Sequence, residues 1–141
     1  MTDRILVPFD GSPQAEAALE YAFENFPDAD LTAVYVIEVP EWTIDRFGGS
    51  SVQLPVTRKA REYGDRVLQT AIDIATEHGH DIETEVETGQ VDRRIVDRTA
   101  NGEHDTIVIG SHARESASRL SLGTTAETIV RRAPVPVVVV R

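Results

Sequence analysis

Strand-length apolar runs alternate along this chain with segments of helical period, and that alternation leaves few folds open. Arg4-Ile5-Leu6-Val7-Pro8-Phe9 reads as a buried strand, followed by the turn Asp10-Gly11 and a helix capped by Ser12 with Pro13 at its first position. Ala15, Ala18, Leu19, Ala22, Phe23 and Phe26 recur at helical spacing and mark its buried face. Pro27-Asp28 ends the helix, and residues 31–37 form a second strand. Pro40, Gly48, Gly49 and Pro55 make a loop of 38–55. Ala60, Val67, Leu68, Ala71, Ile72 and Ala75 then define an amphipathic helix over 56–78, closed by Gly79 as its C′ residue. Residues 81–88, 105–109 and 135–140 read as further strands, with helices over 91–100 and 123–132.

Strands joined by helices in this way predict an α/β fold: a single doubly wound, five-stranded parallel sheet with right-handed crossovers, spanning 1–141 as one domain. Strand three alternates, with Ile82, Thr84 and Val86 on one face and Glu83, Glu85 and Glu87 on the other. Central strands of a parallel sheet are covered on both faces and read as continuous apolar runs, so this strand belongs at an edge with its glutamate face wet. Strands one and four, rich in Leu, Val and Ile, belong at the centre. The valines before Arg141 put strand five at the opposite edge, where bare backbone would aggregate. We therefore expect the same strand of a second subunit, around a twofold axis, to cover it. Coverage by the chain's own residues 38–55 is the alternative.

Composition narrows the function classes. At 141 residues with 40% hydrophobic and 27% charged side chains, the chain can build a core, which excludes wholesale disorder and a fibrous repeat. It has no cysteine, so thiolate metal sites and thiol redox chemistry are out, and a reducing interior suits it. The 14 basic and 24 acidic residues give a net charge of −10, which repels phosphate backbones and argues against nucleic acid as a partner. Lys59 is the only lysine among the basic residues, and Glu16, Glu20 and Glu24 repel at i,i+4 spacing unless screened, which points to a halophilic protein. The longest apolar runs, 5–9 and 135–140, contain proline and fall far short of the roughly 20 residues that cross a bilayer. With no signal-peptide pattern after Met1, the expectation is a cytoplasmic protein without a membrane partner.

In an open α/β sheet the binding crevice lies beyond the carboxyl ends of the strands flanking the topological switch point. With strands one and four adjacent, that point gathers residues 8–11 and 110–114. The helix start Gly123-Thr124-Thr125 adds free N–H groups, hydroxyls and a positive dipole end suited to phosphate, although the same residues also serve as an ordinary cap. No Ser/His/Asp triad, H-E-x-x-H or Walker lysine is legible, so a turnover enzyme is not expected. His78-x-His80 straddles a helix end and reads as solvated side chains, not as a metal site.

The run Asp105-Thr106-Ile107-Val108-Ile109-Gly110-Ser111-His112-Ala113-Arg114, the spaced Leu122-Gly123-Thr124 and the ending Arg132-Ala133-Pro134-Val135-Pro136-Val137-Val138-Val139-Val140 resemble the universal stress protein family. Ile5-Leu6-Val7-Pro8-Phe9-Asp10-Gly11-Ser12 is similar to that family's first strand and turn, so the likeness covers essentially the whole chain. The resemblance implies strand order 3-2-1-4-5 and a homodimer through Val135 to Val140. It also implies, for members that bind ATP, the motif G-x2-G-x9-G-[S/T]. Gly110 and Gly123-Thr124 match it, whereas Ala113 replaces the second glycine; a β-carbon there costs about 1–2 kcal/mol if φ is positive.

On that resemblance Asp10 receives the adenosine end, while Pro8, Phe9 and the backbone of Val36 wall the adenine. Gly110, Gly123, Thr124 and Thr125 serve the ribose and phosphates. Arg114 adds charge, His112 faces phosphate or water, and Ile109 and Ala113 complete the lining. ATP with Mg²⁺ is the expected ligand, with slow hydrolysis at most. Trp42 and Phe47 offer a lid, and Ser116, Ser118 and Ser121 offer modifiable hydroxyls. The competing readings make Asp10 a turn cap, Arg114 a solvated cation, and the protein a nucleotide-free dimeric scaffold.

Overall fold

The computed structural model describes residues 3–39, 58–112 and 123–141. In chain order they form β1 (Arg4–Pro8), α1 (Pro13–Asn25), β2 (Asp30–Glu38), α2 (Arg58–Glu77), β3 (Glu83–Gly89), α3 (Val91–Ala100), β4 (Thr106–Gly110), α4 (Thr124–Arg132) and β5 (Val137–Val140). The strands make one parallel sheet in the order β3-β2-β1-β4-β5. The expected doubly wound fold and strand order are therefore both present, with β3 and β5 at the edges.

Strand alternation divides the core between the two faces. Ile5, Val7 and Phe9 join Leu31, Ala33 and Val108 beneath Ala18, Leu19 and Ala22 of α1 and Val67, Leu68 and Ala71 of α2. Leu6, Val34, Val36, Ile107 and Ile109 form the other layer with Ile95 of α3 and Ala126 and Ile129 of α4. Ser12 caps α1 as expected, its Oγ accepting from the Ala15 N–H at 3.1 Å. A third of the way along α2, Gly64 leaves room for an aromatic ring: a β-carbon there would stand 2.8 Å from Cδ2 of Tyr35 on β2.

Two details differ from expectation. The last strand begins at Val137 and not at 135, because Pro134 and Pro136 have no N–H to give a ladder. Pro136 still accepts from Ile107 N–H at 3.0 Å. The glutamate face of β3 is also less wet than its alternation suggests. Arg98 of α3, only 13% exposed, lies over it and pairs with Glu85, and with Glu87 at 2.6 Å.

Candidate functional site

β1 and β4 pair only through Ile5↔Thr106 and Leu6↔Ile107. Beyond them β1 keeps to β2 as far as Pro8↔Val34, and β4 keeps to β5 as far as Gly110↔Val140. The carboxyl ends of the two central strands therefore part, opening the crevice expected at a switch point. The last rung on the β2 side is Phe9 N–H to Val34 C=O at 2.8 Å. Alternate residues of a strand aim their backbone groups the same way, so the N–H and C=O of Val36 point past the end of β1.

Asp10 stands on one lip of this gap. Its Oδ1 accepts from Ser12 N–H at 3.0 Å, which makes it a turn-former as well as a candidate ligand contact. Its Oδ2 lies 3.5 Å from Nε2 of His112, which follows β4, and the same nitrogen is 3.3 Å from Ser12 Oγ. Side-chain exposures of 54% for Asp10 and 51% for His112 leave both reachable from solvent. The fold brings a serine, a histidine and an aspartate together across 100 residues of sequence. They do not make a triad, since serine and carboxylate face the same ring nitrogen, whereas a triad needs them on opposite ones. Nearby, the Tyr35 phenol is held above its usual value, first by burial and then by Tyr63, Asp10 and Glu38.

Three other expected residues turn out to be buried. Phe9, 2% exposed, lies in the α1/α2 core layer, so its backbone and not its ring is available to a ligand. Ile109 and Val36 are core residues of the opposite layer, and Pro8 is half-buried at the end of β1. Gly110 admits α1: a β-carbon on it would meet the Gln14 carbonyl oxygen and stand 2.5 Å from the carbonyl carbon and 3.0 Å from Ala15 N. Its need for glycine is explained by that close approach, whatever else it touches. Ala113 and Arg114 lie outside the described residues, as do Trp42, Phe47, Ser116, Ser118 and Ser121.

Across the gap, α4 opens at Gly123, whose φ of 89° favours glycine and which has no side chain to cap the helix. The first amides of a helix have no partner within it, and Thr124 and Thr125 are exposed there. α3 also opens without a side-chain cap, at Gln90. Between these helix starts and the end of β2 lies a cavity of ≈ 560 Å³ lined, among the described residues, by Glu38, Val39, Gln90, Val91, Asp92 and Thr125. Of these only Thr125 was expected. The signal for the others was present, since Gly89-Gln90 ends a strand beside β2 at the carboxyl edge of the sheet. A second cavity, of ≈ 530 Å³, opens at the amino edge beside Arg4, Asp28, Asp30, His80, Asp81 and Glu83. Ligands of such sheets bind at the carboxyl edge, which favours the first.

Among the described residues there is no group of three His, Asp or Glu side chains able to hold an ion. His78 and His80 instead stack on Phe23, at centroid distances of 5.3 and 5.0 Å, and hydrogen-bond to carbonyl oxygens.

Comparison with known proteins agrees with this architecture. The universal stress protein family model matches residues 1–141. A universal stress protein of Methanocaldococcus jannaschii is 30% identical over 141 residues, covering 98% of this chain and 81% of the relative. Among solved structures, the universal stress protein of Archaeoglobus fulgidus in complex with dAMP superposes with a TM-score of 0.67 at 20% identity, covering 100% of this chain and 98% of that one. An Arabidopsis thaliana universal stress protein family protein with AMP bound gives 0.69 at 18% identity, covering 98% and 90%. With its whole length matched by the family model and its sheet in the order that the resemblance implied, the chain belongs to the universal stress protein family.

Proposed function

We propose that this is a cytoplasmic stress-response protein that binds an adenine nucleotide at the switch point, ATP with Mg²⁺ among the candidates, and acts as a dimeric switch. The observation that carries the reading is the ≈ 560 Å³ cavity where the start of α4, with glycine at its N-cap, meets the end of β2. The purine lies against the backbone of Val36, and Asp10 takes the ribose hydroxyls. The phosphates sit on the amides at Thr124 and Thr125, beside Gly110 and His112, with Mg²⁺ carried on the phosphates. Glu38 and Asp92 would repel phosphate but can accept from the purine amino group or a ribose hydroxyl, which sets the orientation of the ligand. The dAMP and AMP in two structural relatives support the adenine assignment.

Calorimetric titration with AMP and with MgATP, at the high salt that suits so acidic a surface, tests this directly. The expected Kd is on the order of 1–100 μM, and adenine nucleotide should be released when gently purified protein is denatured. No heat at millimolar ligand and no released nucleotide would leave the nucleotide-free scaffold as the better account, with Ala113 marking a lost site.

The dimer rests on β5. Pro136 C=O and Val140 C=O accept from β4 and the following turn, so alternation turns the N–H and C=O of Val137 and Val139 outward. A second copy of the strand satisfies those groups. Val139→Pro removes an outward donor and leaves the β4 ladder intact. Light scattering after size exclusion should give twice the monomer mass for the parent and a monomer for the variant, with little change in circular dichroism. A parent that is monomeric at micromolar concentration refutes the dimer.

A further inference from the structure

His104, in the turn between α3 and β4, is 8% exposed, and its Nδ1 is buried without a hydrogen-bond partner. Charged groups face it from each element packed around it: Arg98 of α3, Arg4 of β1, Glu85 of the edge strand β3, and Glu103 of its own turn. The neighbouring Asp105 carboxylate is turned toward the backbone N–H of Arg4, at 3.2 and 3.1 Å. Arg98 holds the cluster together. It pairs with Glu85, with Glu87 at 2.6 Å and with Glu103 at 3.7 Å, so one guanidinium fastens the end of α3 to the edge of the sheet.

We propose that neutral His104 is the keystone of an acid-sensitive latch, and that its protonation loosens the grip of α3 on β3. A proton added to His104 creates a cation in a site already occupied by Arg98, with one ring N–H lacking an acceptor. The two carboxylates that could answer it, Glu85 and Glu103, are the ones Arg98 uses, so the imidazolium is accommodated only by taking them from the guanidinium. Burial first, and Arg98 second, hold the ring below the usual histidine value. The folded state therefore favours the neutral ring. Its contribution to stability is complete above the unfolded value of about 6.5 and is lost as pH falls through the lower folded value.

The test follows urea unfolding of the full chain, parent and His104→Gln, between about pH 8 and about pH 5, the range that brackets the ordinary histidine value. His78, His80 and His112 are common to both proteins, so the difference between the two isolates position 104. The parent midpoint should fall toward acid more steeply than that of the variant; equal slopes overturn the proposal. If the variant does not fold, NMR of the parent decides. The His104 ring should titrate below a free histidine, and amide exchange at Glu85 to Thr88, corrected for its intrinsic pH dependence, should quicken in step with it. A ring that titrates at or above the free value, or β3 amides whose protection ignores it, overturns the latch.

Discussion

Gly110→Ala should destabilise the protein by about 3 kcal/mol, at the upper end of the usual cost of overpacking, and lower its Tm by on the order of 10 °C. The reason is the partner a methyl group would meet. It would strike the Gln14 carbonyl and approach Ala15 N to 3.0 Å, and this is backbone of a helix whose first turn is already fixed by the Ser12 cap. A flexible side chain could rotate away; a capped helix must move as a body and would lift Ala15, Ala18 and Leu19 from the core. Differential scanning calorimetry measures the shift. A Gly110→Ala protein that melts with the parent would mean that α1 does not press on the end of β4, and the account of the switch point would fail with it.

Asp10→Ala should weaken adenine-nucleotide binding about 10- to 100-fold, the loss expected when a charged hydrogen-bond acceptor is removed. The companion Asp10→Asn separates the two roles of this residue. Asparagine keeps an oxygen for the Ser12 N–H, now accepted at 3.0 Å, but lacks the charge, so the turn survives and affinity falls only severalfold. Titration calorimetry on both variants, with thermal melts beside it, reads out the pair. Parent-like affinity in both would remove Asp10 from the binding residues and leave it a former of the turn.

The fold was legible because the strands announce their own exposure. Glu83, Glu85 and Glu87 could not lie in the middle of a parallel sheet, and Ile107-Val108-Ile109 could not lie at its margin without cover. The fate of Phe9 was readable too, since Ile5, Val7 and Phe9 share one face of the chain and two of them are plainly core. What stayed hidden depends on separate elements crossing. Nothing local to His112 says that it meets Asp10 and Ser12, and nothing local to Gly64 says that Tyr35 lies beneath it. Arg98 reads as an ordinary helical cation until β3 is laid alongside. The second half of the cavity was missed because the family motif drew attention to the loop after β4, whereas Gln90 and Asp92 follow the strand that the same motif ignores.

The two margins of the sheet are chemically opposite, one bearing glutamates bridged by an arginine and the other a run of valines. On the proposed pairing through β5 such a molecule has a valence of one: a copy bound to the valine margin leaves the glutamate margin, which bears charge, as the remaining border of the sheet, so crowding would raise the number of pairs without lengthening them.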